Sequence, residues 1–353
     1  MKDSQKLKKK QRKFTKKKAL HKSVIASEER AKQPPTKPQQ SFHDFSMTFN
    51  KYGSDILLLF IPIGLFVIFV SLILINDHFL QQIYATKITN FIPANKINPY
   101  PFVGEIPLLS LSAKAAIVVD ANSQVIAFSK NQQLLFPMAS TAKIMTALTA
   151  LDYYKDSDIL TIKSSRVEGS ALNLQPGEQF YFKDLLYAML LPSANDAAVA
   201  IADNYPGGLE NFVAKMNEKA KALHLTNTHF VDPTGLEDTG DYTTVVDMAH
   251  LASAAIKNKK IVEITGTKQK IISNTSYKQY SLYNLNKLLG TNGVTGMKTG
   301  TTEGAKEVLV TSVERGTHTF IIVVMNSTDR FGDTQTLLNF IDNNIQFISP
   351  IQF

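Results

Sequence analysis

The stretch FPMASTAKIMTALTA, residues 136–150, sets a serine three residues before a lysine at the start of an apolar run. A serine hydroxyl is a poor nucleophile unless a base takes its proton. Ile144, Met145, Leu148 and Leu151 recur at helical spacing, which predicts a helix from Ser140 onward. Positions i and i+3 share a helix face, so the Ser140 hydroxyl and the Lys143 amine can meet. First-turn amides have no intrahelical partner, which leaves the amide of Ser140 free to donate to an oxyanion. Lysine is a base only when neutral, and its reference pKa of about 10.4 opposes this near neutral pH. Burial or a second cation lowers that value. The chemistry therefore asks for a second lysine, and for a hydroxyl that passes a proton to a leaving nitrogen.

Two further stretches contain these groups. Ser193-Ala194-Asn195 lies in LLPSANDAAVA, at a proline-marked junction between two apolar helical segments. Lys298-Thr299-Gly300 lies in VTGMKTGTT, at the end of a strand-like run. A serine-to-lysine spacing of three is by itself usually a solvated helix face, but here SxxK occurs once. SxN also fits Ser129-Lys130-Asn131, a copy in a hairpin ahead of the SxxK.

The elements that must position these groups follow from periodicity. AAIVVD (115–120) and QVIAFS (124–129) predict a hairpin turning at Ala121-Asn122-Ser123. Helical patterns fill the middle at 184–191, 195–205, 209–225 and 245–258. Strands return at 294–300, 306–315 and 318–326, before a last helix around Thr334–Asn344. Strands at both ends and helices between predict an α+β domain, an antiparallel sheet flanked by helices with a helical subdomain inserted. It is expected to span residues 112–353, behind a proline-bearing linker at 77–111.

Ahead of the linker, Ile56–Ile75 (ILLLFIPIGLFVIFVSLILI) is a run of twenty uncharged residues, about 30 Å as a helix. It predicts a transmembrane helix over 55–76. Residues 1–54 hold fifteen Lys/Arg against four Asp/Glu, or +11 of a chain whose net charge is +8, so the basicity belongs to this tail, which reads as disordered. The positive-inside rule keeps the tail cytoplasmic and the domain extracytoplasmic, a single-pass arrangement in the cell membrane. Topology accounts for the basic residues, and no nucleic-acid partner is expected. No cysteine is present, which excludes disulfides and thiolate metal sites, and seven histidines show no ligand spacing. Neither a metal nor a cofactor is expected.

The ordered set SxxK, SxN, KTG is the one found in penicillin-binding proteins and class A β-lactamases. From about Ala115 onward the chain resembles the D-alanyl-D-alanine carboxypeptidases among the low-molecular-mass penicillin-binding proteins, serine peptidases of the S11 type. Phe230-Val-Asp-Pro-Thr-Gly-Leu236 resembles their F-x-(N/D)-P-(H/T)-G-L turn. Thr243-Thr-Val-Val-Asp-Met-Ala249 and Asn284-Leu-Asn-Lys-Leu-Leu289 resemble two further segments. Thr244-Val-Val-Asp247 is also a capping-box-like helix start, Pro233 and Gly235 shape a turn, and His250 reads as a packed or surface histidine.

The resemblance implies a β-lactamase/DD-peptidase-like fold and a division of labour. Ser140 attacks the carbonyl of the penultimate D-alanine of a peptidoglycan stem peptide, and Lys143 accepts its proton. Ser193 relays a proton to the departing D-alanine, Lys298 adjusts its surroundings, and Asn195 binds the substrate amide. Lys298 and Thr299 hold the terminal carboxylate, Gly300 admits the substrate backbone, and the Thr301 amide joins that of Ser140 in the oxyanion hole. Strict strand alternation sends Lys298 and Thr299 to opposite faces, so their joint role rests on the resemblance and on local twist. β-Lactams are the implied covalent inhibitors.

Departures from the family pattern are an N-terminal membrane anchor, only 353 − 300 = 53 residues beyond the KTG, and threonine at position 301. Three alternatives share the same residues. A serine β-lactamase needs a Glu-x-x-x-Asn segment, and Glu210, Glu218, Glu237 and Glu263 all lack asparagine four residues on. A non-catalytic penicillin sensor would have lost the serine or a lysine. A DD-endopeptidase differs only in substrate.

Overall fold

The computed structural model describes residues 62–80, 100–104, 107–164 and 167–348. They belong to two separate units, divided between Asn95 and Lys96. The described part of the first is a 19-residue helix, Pro62–Leu80. At 1.5 Å per residue it is about 28 Å long, so by length and composition it is able to cross a membrane. Its leucine, isoleucine and phenylalanine side chains are exposed. Residues 56–61 of the expected apolar run lie outside the described residues, as do the basic tail and most of the expected linker.

In the second unit, the β-branched runs form β1 (Ala115–Asp120) and β2 (Ile126–Lys130). Much later come β3 (Val294–Thr302), β4 (Lys306–Arg315) and β5 (His318–Ser327). The five pair antiparallel in the order β3-β4-β5-β1-β2, so the sheet draws on both ends of the domain as the α+β reading expects. β1 is buried along its whole length, with Ile117 and Val119 in one core and Ala116 and Val118 in another. Burial on both faces is why AAIVVD is an unbroken apolar run instead of an alternating one. β3 lies at one edge of the sheet.

Six helices separate β2 from β3: α1 (Lys143–Leu151), α2 (Phe182–Leu190), α3 (Asn195–Asp203), α4 (Gly208–Ala222), α5 (Val245–Ala255) and α6 (Lys259–Thr265). Their apolar faces, with Met145, Phe182, Ile201, Phe212 and Met248 among them, share the larger core with Ile117 and Val119. A final helix, α7 (Arg330–Asn344), covers the opposite face of the sheet through Leu337, Leu338 and Ile341. The α5 start is capped as its sequence suggests, with Thr244 Oγ1 accepting from Asp247 N at 3.1 Å.

Two elements differ from expectation. Ala139–Ala142 is a 3₁₀ turn and α1 begins only at Lys143, so Ser140 is not in the α-helix. Ala139, at φ 47°, lies outside the right-handed helical region, and a tight turn takes up the bend. Tyr100–Val103, expected in the linker, pairs antiparallel with Ile345–Ile348, so the ordered body starts before Ser112. Its partner comes from the far end of the chain, which a local pattern does not reveal.

Candidate active site

The site is assembled around one fully buried amine. Lys143 Nζ donates to Ser140 Oγ at 2.9 Å, Asn195 Oδ1 at 2.6 Å and the Thr234 carbonyl at 2.8 Å. In a 3₁₀ turn side chains three apart eclipse, so serine and lysine meet although the helix starts later than expected. Burial lowers the Lys143 pKa to about 7, against the opposing pull of the Asp232 and Asp241 carboxyl groups. An amine with that value is neutral for much of the time near neutral pH.

Asn195 opens α3 and has both ends of its side chain engaged: Oδ1 accepts from Lys143 and Nδ2 donates to the Glu168 carbonyl at 2.6 Å. Its backbone amide donates to the Ser170 carbonyl at 2.7 Å. Both polar ends of the Asn195 side chain are thus taken by protein partners. Ser193, at the α2–α3 junction, has φ 66°, and its buried Oγ has no hydrogen-bond partner among the described residues.

Lys298 is buried on β3, and its Nζ donates to the Thr299 carbonyl at 3.0 Å. Burial first, then the charges of Lys143 and Arg330, push its pKa well below the usual lysine range. The second lysine that the chemistry asks for is therefore present, but the downward shift of Lys143 comes from desolvation. The register sets Lys298 opposite Val310 of the larger core and Thr299 opposite Leu309 of the smaller. The two side chains thus leave opposite faces of the strand. Thr301, across from Glu307, is exposed.

Two glycines let the walls close on the Ser140 turn. A Cβ on Gly300 would stand 3.0 Å from Ala139 Cβ and 3.1 Å from Ser140 N. A Cβ on Gly235, at φ 75°, would stand 1.9 Å from the Ala139 carbonyl oxygen. β3 and the 232–237 turn therefore approach the serine from two sides.

Three contributors were not singled out from sequence. Thr234 acts through its carbonyl, which no side-chain pattern reveals. Asp232 organises that turn, accepting from Thr234 Oγ1 at 2.6 Å and Gly235 N at 2.8 Å; an aspartate ahead of Pro-Thr-Gly was an available turn signal. Arg330, at the start of α7, donates from Nη1 to the Gly300 carbonyl at 2.7 Å, and nothing in STDRFGD points to it. His250 sits on α5, outside these contacts. Among the described residues no cluster of three or more His, Asp or Glu side chains is arranged to hold a metal ion.

A five-stranded antiparallel sheet with an inserted helical region thus carries a serine hydrogen-bonded to a buried lysine, the arrangement that the nucleophile and base of a serine hydrolase require. Residues 103–329 match the family described as peptidase S11, D-alanyl-D-alanine carboxypeptidase, and the chain belongs to that family. It is 36% identical over 228 residues to the D-alanyl-D-alanine carboxypeptidase DacF of Bacillus subtilis, covering 62% of this chain and 59% of that protein. The chain thus spans about three fifths of that relative's length. It is 32% identical over 246 residues to a D-alanyl-D-alanine endopeptidase of Pseudomonas aeruginosa, covering 67% of this chain and 77% of that one. Its fold is similar to the crystal structure of the Streptomyces K15 DD-transpeptidase, with a TM-score of 0.63 and 29% identity over 67% of this chain and 98% of that one.

Proposed function

We propose that the protein is a serine-type D-alanyl-D-alanine carboxypeptidase acting on peptidoglycan stem peptides. The observation that carries this reading is the Ser140–Lys143 contact at 2.9 Å, with the lysine pKa lowered by burial to about 7. Once Lys143 has lost a proton, the hydrogen bond can run the other way, and the amine takes the Ser140 proton as Oγ attacks the carbonyl carbon of the penultimate D-alanine. The amides of Ser140 and Thr301 stabilise the oxyanion. The C–N bond then breaks, and the leaving amine takes a proton through Ser193, whose hydroxyl has no competing partner among the described residues. Water hydrolyses the resulting ester, and free Ser140 is restored.

Lys298 holds the substrate's terminal carboxylate, and the edge strand that carries Thr299 and Thr301, whose side chains leave its other face, holds the substrate backbone. Gly300 keeps that strand close to the Ser140 amide, and Asn195 with the Thr234 carbonyl holds Lys143 in place. β-Lactams acylate the same serine. The domain over 112–353 lies outside the cell membrane, anchored by the helix containing Pro62–Leu80, with the basic tail of 1–54 in the cytoplasm. No cofactor takes part.

The likeness to an endopeptidase favours a second reading, cleavage of cross-linked peptides. One experiment separates the two: the purified chain is given a peptide ending in D-Ala-D-Ala as acid or as C-terminal amide, and released D-alanine or D-alaninamide is measured. A carboxypeptidase cleaves the acid and nearly spares the amide, because an unpaired cationic pocket costs roughly 2–5 kcal/mol. Equal cleavage favours the endopeptidase, and no cleavage with penicillin binding intact leaves a sensor.

A further inference from the structure

The turn that meets Lys143 carries two carboxyl groups. Asp232 is well supplied with donors: Thr234 Oγ1 at 2.6 Å, Gly235 N at 2.8 Å, Glu237 N at 3.1 Å and the Thr234 amide. Asp241 is only 1% exposed; its Oδ1 accepts from Val231 N at 2.8 Å, and its buried Oδ2 has no partner among the described hydrogen bonds. Both carboxyl groups belong to one closed loop: Asp241 Oδ1 holds the amide of Val231, the residue before Asp232, and the Asp241 amide donates to the carbonyl of Glu237, whose own amide donates to Asp232 Oδ2. Neighbouring buried carboxylates resist ionising together, and one proton between them removes both the repulsion and the orphaned oxygen. Asp232 already has its donors, so the proton belongs on Asp241.

We propose that Asp241 is held as the acid and donates its O–H to Asp232, which makes it a positioning residue for Lys143. The proposal rests on the reading of Lys143 as the base. One carboxylate then organises the 232–237 turn and keeps the Thr234 carbonyl 2.8 Å from Lys143 Nζ. Burial, then the charge of Asp232, pushes Asp241 up to about 8. Burial also pushes Asp232 upward, but the hydrogen bonds from Thr234, Asp241 and Gly235 outweigh it and hold Asp232 below the usual aspartate range.

Near neutral pH, Lys143 thus faces one negative charge where two aspartates stand. A second charge would raise its pKa and keep a proton on the amine. The other ionisable groups around Asp241 are Glu237, whose carbonyl accepts from the Asp241 amide at 3.0 Å, and His229, bridged to Tyr242 next in the chain. Asp238, on the same loop, is fastened to Thr302 Oγ1 at 2.5 Å and Gly304 N at 2.8 Å. Lys143, Lys298 and the Arg330 guanidinium are the basic groups of the site.

The test uses the full chain in detergent. Infrared difference spectra, wild type minus Asp241→Asn, should show a protonated-carboxyl carbonyl band at neutral pH that fades as pH rises through about 8. Acylation by labelled penicillin is followed against pH in parallel. Asp241→Asn keeps a neutral donor and should leave the acid limb of the profile in place. Asp241→Ala has no donor and should acylate about tenfold or more slowly than Asp241→Asn. Absence of the band overturns the proposal. So does an acid limb displaced to lower pH in Asp241→Asn, as removal of a resident negative charge would cause. Normal acylation by Lys143→Ala with the band present would overturn the base reading and the positioning role built on it, leaving only the shared proton.

Discussion

Replacing Gly300 by alanine tests whether the Ser140 amide takes part in catalysis. The new methyl carbon would lie 3.0 Å from Ala139 Cβ, 3.1 Å from Ser140 N and 3.3 Å from Thr141 N, so a neighbour must yield by a few tenths of an ångström. The strand has little freedom to yield: it is paired to β4 from Gly296 to Thr302, and Arg330 holds the Gly300 carbonyl at 2.7 Å. Ala139 is confined too, with φ 47° and its carbonyl against Gly235. The displacement falls on the Ser140 turn. Misplacing a catalytic group by a full ångström costs about a hundredfold in rate, and losing an oxyanion donor about a hundred- to a thousandfold. A shift of tenths should therefore slow acylation by about ten- to a hundredfold. Overpacking of this kind costs about 1 kcal/mol or somewhat more, about 2–4 °C in Tm per kcal/mol for a domain of this size. The assay is the second-order rate of labelled-penicillin acylation beside a thermal melt. A rate within twofold of the parent, in a folded protein, would refute a role for that amide.

Acylation should fall as pH drops through about 7, because only the neutral Lys143 amine accepts the Ser140 proton and below that value it is protonated; a flat profile from about pH 5 to 8 would contradict this. Gly235→Ala puts a Cβ 1.9 Å from the Ala139 carbonyl at φ 75°. It should cost at least about 1–3 kcal/mol and nearly abolish acylation, and an unchanged melting temperature would contradict the packing described. External protease on intact, wall-stripped cells should remove the domain and leave the tail; a protected domain would reverse the proposed topology.

How far the sequence reaches can be judged residue by residue. The sheet was legible because β1, β4 and β5 are apolar runs whose burial on both faces leaves no other reading, and the capping box at Thr244 marked α5. The hairpin Gln269–Ser273 with Gln279–Tyr283 was not, since it is mostly exposed and shows no apolar alternation. Tyr100–Val103 was hidden because its partner lies at the other end of the chain. In the site, Ser140, Lys143, Ser193 and Lys298 could be asked for by chemistry before any fold was known. The Thr234 carbonyl, the Asp232–Asp241 pair and Arg330 could not, because each acts through a backbone group or a contact that exists only once the chain has closed. Gly300 stood on resemblance alone, and its 3.1 Å approach to Ser140 N gives it a physical reason.

Mass spectrometry of the full chain after reaction with labelled penicillin tests the central claim most directly. One adduct is expected, on the peptide carrying Ser140. It should be long-lived, since no glutamate with asparagine four residues on is present between the second and third motifs, and absent from Ser140→Ala and nearly absent from Lys143→Ala, which disable the same unit. An adduct on any other residue, or one formed at the parent rate without Lys143, would contradict the account.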